Sequence, residues 1–391
     1  MKMNGPARSR KHVKLGGVLG IALAVYALGP GVPGAGGAKS AKRGDKVAFT
    51  RGDIWVLTSG ATRPQRVTSS GKAHSPAWSP DGRRLACVSN GGLWLIDPAT
   101  GARTRLYAGT DGSGPTWSPD GKTIAFGRFG TEKQTGKGSE EGIWAIDRGG
   151  ANLRCLLSYA APEATQSVRG DLWAEWRPHL LDHFAFSPDG RLLAFAFEGE
   201  SPVLFVAALD RRASPTRARV IARSEVAATD FCWLGDSQHL LVADGGSEGC
   251  AGSGLNIIEA ATGGKGELLL PFRFGIQQVA YSASASMGLF NRPNGDLYTD
   301  DPKWTGDDVC LIKYVDALSG SRGSAPPSAT GIVDVGRFVG QNVVDLQLAS
   351  KGQTLYVLAE DESRHLYRVT RGGRRTLLSD RVQDFAVWPD G

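Results

Sequence analysis

Three carboxylates, an imidazole and an amide recur at one aligned position of this 391-residue chain: Asp230, Asp345, Asp384, His183 and Gln278. Two further copies place Ser75 and Gly114 there. Drawn around one axis, Asp230, Asp345, Asp384 and His183 form a candidate metal set, because carboxylate and amide oxygens suit a hard cation such as Ca²⁺. The same oxygens could instead accept N–H groups of neighbouring strands. His183 could also act as a general base, with the three aspartates positioning a metal or the imidazole, which would give a lyase or hydrolase.

A second group lies within Leu157–Asp182. Asp171-Leu172-Trp173-Ala174-Glu175-Trp176 could open a short helix with Asp171 as its N-cap. Trp173 and Trp176 would then share one side, with Arg177 and His179 close by. Trp and Arg are common anchors of protein interfaces, so these four residues are the candidate partner-binding set. Both indoles could equally pin the segment onto the body of the protein. With Trp304 they could also serve a carbohydrate.

The elements that must position these residues are announced by a phrase. Trp78-Ser79-Pro80-Asp81-Gly82 returns as Trp117-Ser118-Pro119-Asp120-Gly121 and Phe186-Ser187-Pro188-Asp189-Gly190, and Trp388-Pro389-Asp390-Gly391 is a clipped copy. Recurrence at intervals of roughly 40 residues or more points to stacked small β units. In the second unit Ala77-Trp78-Ser79 is extended and Pro80-Asp81-Gly82 is a turn. Leu85–Ser89, Leu93–Asp97 and Thr104–Tyr107 follow as short strands separated by Asn90-Gly91-Gly92 and Ala99-Thr100-Gly101. Four strands per unit is the make-up of a propeller blade.

Aromatic-Ser-Pro-Asp-Gly, then Leu-Ala-Phe (Leu193-Ala194-Phe195), then Ile-Trp-x-x-Asp (Ile143-Trp144-Ala145-Ile146-Asp147) resembles the TolB-type β-propeller family. The resemblance covers about residues 45–391 and is strongest at 76–147 and 184–206. It implies an all-β fold: one propeller of four-stranded antiparallel blades, seven in number with six as the alternative, over residues 42–391. The sixth unit is degraded, with Val279-Ala280-Tyr281 and Cys310–Tyr314 as its recognisable strands. TolB carries an α/β domain ahead of its propeller, whereas only a few residues here separate the leader from the first strand. Phe385–Gly391 reads as an innermost strand with its turn and nothing after it, and Val47–Leu57 as a blade lacking its innermost strand. Joining them closes the ring and removes two open sheet edges.

Loop length separates the two faces of such a disk. Turns after the first and third strands of each blade share one face and are mostly tight, Ser319–Ser328 excepted. Phe129–Glu141, Leu157–Asp182, Asp244–Ser253 and Asn291–Asp308 fall on the other. Long loops on a rigid scaffold commonly carry function, which places the working surface there. Asp300, Asp301, Asp307 and Asp308 read as an acidic, solvated loop without EF-hand spacing.

Residues 1–41 read as a secretory signal peptide, or an N-terminal anchor, with a short linker: Lys2, Arg8, Arg10, Lys11 and Lys14 precede an apolar run from Leu15 to Leu28. The formal charge of +6 resides in that leader, which holds six Lys and Arg and no acids. The remainder is near neutral and lacks a basic footprint for nucleic acid. Of the five cysteines, Cys232 and Cys250 lie in one blade and are the candidate disulfide. Gly245-Gly246-Ser247-Glu248-Gly249 falls between two strands, not at a strand–helix elbow. Arg43-Gly44-Asp45, Arg51-Gly52-Asp53 and Arg169-Gly170-Asp171 read as turn sequences. These features describe an exported, monomeric scaffold of the extracellular space, periplasm or cell envelope. It binds a protein or peptide through its insertion-rich face, uses no cofactor beyond a channel-mouth Ca²⁺, and does no chemistry. A propeller enzyme and a carbohydrate binder are the alternatives.

Overall fold

A computed structural model describes residues 44–388 except 110–113, 129–141, 159–180, 198–202, 211–216, 245–253, 265–266, 272–275, 283–286, 295–304, 314–331 and 350–351. The described residues form an all-β chain without an α-helix, and no helix among them is long and apolar enough to cross a membrane. Antiparallel strands of four build seven blades.

The first blade joins the two ends of the chain. Phe385–Trp388 is its innermost strand, followed outward by Lys46–Thr50, Ile54–Thr58 and Gln65–Arg66. The second runs from Ala73–Trp78 to Arg103–Ala108, and the third from Thr116–Trp117 to Arg154–Ser158. The fourth begins at Leu181–Phe186, and its outermost strand continues without a break into the innermost strand of the fifth, as the single span Arg217–Trp233. Blade six is complete, with Val279–Ser282, Met287–Asn294, Gly306–Lys313 and Ile332–Val339. Blade seven runs from Asn342–Ala349 to Arg375–Asp380. Seven, not six, is therefore the number. The strand Met287–Asn294 escapes a hydropathy reading because Asn291 is wholly buried in it; its Oδ1 accepts the Gln277 and Gln278 amides at 3.1 and 2.8 Å.

The repeated phrase works as a self-contained turn. Ser79 Oγ donates to Asp81 Oδ1 at 2.6 Å and accepts the Arg84 amide at 2.9 Å, while Asp81 Oδ1 takes the Arg83 amide at 3.0 Å. The same bonds recur at Ser118 with Asp120 and at Ser187 with Asp189. Gly82, Gly121 and Gly190 sit at φ of +63°, +66° and +68°, where an L side chain is strained. The turn thus satisfies its own polar groups and points the next strand back along the sheet.

The blades are joined by apolar seams and not by one central core. Seven buried clusters each bridge a neighbouring pair, such as Ala48, Ile54 and Ala386 with Trp78 and Leu85 between blades one and two. The repeat tryptophans add a polar stitch. Trp78, Trp117 and Trp233 each donate their indole N–H to a carbonyl on the innermost strand of the blade before, at Ala386, Ala77 and Ala185, over 3.0–3.2 Å. Phe186 holds the equivalent place in blade four and has no N–H to give.

The last copy of the phrase is one residue out of step. Val387 pairs with Val47 as Trp78 pairs with Leu85, so Val387 takes the aromatic's place and Trp388 follows it. Trp388 then lies across the neighbouring turn, donating to the Pro80 carbonyl at 3.1 Å and packing on Gly82. Lys46 sits 5.0 Å from the Trp388 ring and 5.6 Å from the Trp78 ring, with its ammonium on the Gly82 carbonyl at 2.6 Å. The ring closure is locked at this point.

Candidate functional site

The channel-mouth position lies at the start of the innermost strands, on the face opposite the Ser-Pro-Asp-Gly turns. Pairing slips by a residue at or just ahead of it in blades two, four, five and seven, which interrupts the regular pleat there. Asp230 accepts its neighbour Phe231's amide at 2.8 Å and the Val279 amide of blade six at 2.9 Å. Asp384 accepts the Ser75 amide of blade two at 2.9 Å. Asp345 is wholly buried and accepts a 3.4 Å bond from the Gln347 side-chain amide. Asp345 Oδ1 and Asp384 Oδ1 are buried with no hydrogen-bond partner among the described residues.

Burial dominates the ionisation of all three. It pushes Asp230 up to about 7 against the pull of its two amide donors. It holds Asp345 well above the usual carboxylate range, and repulsion from Asp230 and Asp384 adds to this. Asp384 is raised as well, chiefly by burial. Two members of the trio, Asp230 and Asp384, tie adjacent blades through backbone amides. His183 lies on the innermost strand of blade four opposite Ala196; its side chain is outside the described residues. Gln278 offers its backbone amide to Asn291. Among the described residues no group of three or more His, Cys, Asp or Glu side chains is placed to hold a metal ion.

Trp173, Trp176, Arg177 and His179 lie outside the described residues, as do Trp304, Cys250 and the Gly245–Gly249 segment. Cys232 is fully buried on the innermost strand of blade five. The strand ends that bracket 129–141, 159–180, 245–253 and 295–304 lie on the channel-mouth face. Asp307 and Asp308 are not on a solvated loop, as the sequence suggested, but on the third strand of blade six, and both are buried. Asp307 accepts the Asn291 amide at 2.9 Å and the Val343 amide of blade seven at 2.8 Å; Asp308 pairs with Arg292 and Arg337. Asp53 of the Arg-Gly-Asp tripeptide is buried too, and is held by Thr68, Gly71 and Arg66.

Two open cavities among the described residues lie on the other face. One of about 770 Å³ sits between blades one and two and reaches the Arg148-Gly149 turn of blade three. A second, of about 550 Å³, continues from Arg148 and Gly149 towards blade four. Trp78, Val56, Leu95 and Pro98 line the first, and its mouth carries Arg63, Arg83 and Arg148. Arg84 is spent on an ion pair with Asp97. Burial alone would raise Asp81, yet the Ser79 hydroxyl, the Arg83 amide and the charges of Arg83 and Arg148 hold it below the usual range. This arginine-rimmed cleft was not legible in the sequence, where its turns read only as tight connections. The one signal was Arg directly after the Asp-Gly turn in Arg83-Arg84.

No family model matches the sequence, and no curated protein is similar to it. Solved structures are similar in fold at low identity. The β-propeller domain of Cps50 (Swd1) from Myceliophteria thermophila superposes with a TM-score of 0.51 at 13% identity, over 80% of this chain and 87% of that one. TolB from Acinetobacter baumannii gives 0.48 at 15% identity, over 89% of this chain and 67% of that one. Seven blades closed into a ring, three of them turning on Ser-Pro-Asp-Gly, give the chain a TolB-type β-propeller fold.

Proposed function

We propose that this chain is an exported, non-catalytic propeller scaffold that binds a protein or peptide of the cell envelope through the face bearing the long connections. The observation that carries this reading is the closed ring. Its first and last strands share a blade, and amide, carboxylate and indole bonds join blade to blade. A frame so stiff holds loops in fixed relative positions, which is what recognition of one partner needs. Export rests on the leader at residues 1–41, and the anchor set is Trp173, Trp176, Arg177 and His179.

The test is cross-linking of the tagged chain in its native envelope beside a variant shortened across Leu157–Asp182. Capture of one partner by the full chain and not by the shortened, folded variant is expected. Equal capture by both would remove the assignment of the face.

The unpartnered oxygens of Asp345 and Asp384 favour a second reading, a cation or small polar ligand at the channel mouth, with His183 contributing from blade four. Because burial raises both carboxyls above the usual carboxylate range, a cation that needs them ionised would bind more strongly with rising pH. Stoichiometric Ca²⁺ in the purified protein, lost in Asp345→Ala, would support it. No metal, and no shift in unfolding on adding Ca²⁺, would overturn it.

A further inference from the structure

We propose that the arginine-rimmed cleft on the turn face is a second binding site, and that it takes an extended acidic peptide carrying apolar side chains. This site is independent of the loop-bearing face, since it lies on the opposite side of the disk and uses none of the long connections.

Charge is the first argument. Arg63, Arg83 and Arg148 come from three different blades and make no ion pair among the described residues. The acids of the first cavity are already engaged: Asp97 by Arg84, and Asp81 by the Ser79 hydroxyl and the Arg83 amide. Arg83 and Arg148 act on Asp81 through charge and pair with no carboxylate among the described residues, so an incoming carboxylate can bond their guanidinium groups directly. Arg–carboxylate pairs are the strong, geometrically selective kind of hydrogen bond.

Shape is the second argument. The cavities of about 770 and 550 Å³ share Arg148 and Gly149, so they form a run along the disk and not a single basin. A lone small anion would satisfy one arginine. An extended chain can place successive side chains along the whole run.

Lining is the third argument. Leu95 and Pro98 line the first cavity, and Leu156 and Leu209 the second, so each offers an apolar floor beside its cations. Such alternation suits a peptide with both acidic and apolar residues. A nucleic-acid strand needs exposed aromatic faces on which to stack bases. The aromatic residues here, Trp78 and Phe186, are buried in the seams and present none.

The experiment is selection from a random peptide library on the immobilised chain, followed by anisotropy titration of fluorescent copies of the enriched peptides. Arg83→Glu/Arg148→Glu is run in parallel, and circular dichroism confirms its fold. Both arginines are exposed turn residues, so the fold should survive; Arg83→Gln/Arg148→Gln is the milder second variant. Enriched peptides should be rich in Asp and Glu with interspersed apolar residues. Their affinity should fall at least about tenfold in the double Glu variant, a loss of about 1.4 kcal/mol. It should also weaken with added salt. Enrichment of basic or uncharged peptides, binding unchanged in both variants, or tighter binding of oligothymidylate than of any peptide would each overturn the proposal. A shortened Leu157–Asp182 variant should bind the selected peptides normally, so loss of the envelope partner and loss of this site remain separate results.

Discussion

Replacing Gly82 by Ala should cost the fold far more than the same change at Gly121, although both residues occupy the same place in the same turn. Their φ values, +63° and +66°, impose the same strain on an alanine, roughly 1–2 kcal/mol. The surroundings differ. At Gly121 an added Cβ meets nothing nearer than Pro80 Cδ at 3.6 Å. At Gly82 it falls 2.8 Å from Trp388 Nε1 and nearer still to the carbons shared by the two rings. The indole cannot swing away freely, because it is bonded to the Pro80 carbonyl and covers Lys46. Overpacking of this kind adds about 1–3 kcal/mol. Gly121→Ala is therefore expected to cost about 1–2 kcal/mol and Gly82→Ala about 2–5. Removing the indole by Trp388→Ala is itself expensive, about 3–5 kcal/mol for so buried a ring. In that background Gly82→Ala should shrink to the backbone strain alone, leaving a coupling of about 1–3 kcal/mol. Urea unfolding followed by both circular dichroism and fluorescence measures the four corners of the cycle, provided the two probes coincide. Equal costs at Gly82 and Gly121, or strict additivity with Trp388→Ala, would show that the last strand is not locked to the second blade as described.

Other outcomes follow from the same geometry. Asp230 is raised to about 7 by burial while the carboxyl of the unfolded chain titrates near its ordinary value of 3.8. Between those values unfolding releases a proton, so its stabilising contribution is complete below about pH 4 and is lost as pH climbs towards 7. Asp230→Asn should flatten the stability–pH curve in that window by up to about 1.4 kcal/mol per pH unit, and an unchanged slope in urea titrations would refute it. Trp233→Phe removes the 3.0 Å bond to the Ala185 carbonyl at the cost of about 1 kcal/mol, while Phe186→Leu breaks no such bond; a chemical-denaturation midpoint unchanged in Trp233→Phe would refute the stitch. Cys87 is wholly buried with its thiol pushed up to about 12, so iodoacetamide should leave it unmodified until the chain unfolds; mass spectrometry showing rapid native labelling would contradict this.

What the sequence disclosed is what is locally determined. Ser79, Asp81 and Gly82 satisfy one another within a few residues, so their spacing announces the turn, and three copies suffice to set the blade period. The missing innermost strand of blade one was legible because Phe385–Trp388 had no other partner to complete. Where polar groups are satisfied at long range the pattern misleads. Asn291 and Asp307 look like loop residues, yet they replace apolar packing with bonds to Gln278 and Val343 from other strands. The bonds of the channel-mouth aspartates are long-range too: the amide partners Ser75 and Val279 belong to neighbouring blades, so no local pattern announces them. The arginine cleft could not be foreseen, since Arg63, Arg83 and Arg148 meet only once three blades are set side by side.

The unbroken strand Arg217–Trp233 makes the ring mechanically uneven. Blades four and five share it, so that pair behaves as one double-width rigid segment, further fastened by the Trp233 indole. The joint on its other side, between blades three and four, has Phe186 where blades two, three and five have an indole donor, and it carries an apolar seam that includes Ile143, Leu157, Phe184 and Phe195. Under thermal or pulling stress this joint is expected to yield before the indole-stitched ones, giving amides of Leu181–Phe186 faster hydrogen exchange than those of Ala73–Trp78. A propeller with a reinforced spoke beside an unstitched seam yields unevenly around its ring, and the loop-bearing face would yield to a partner with the same unevenness.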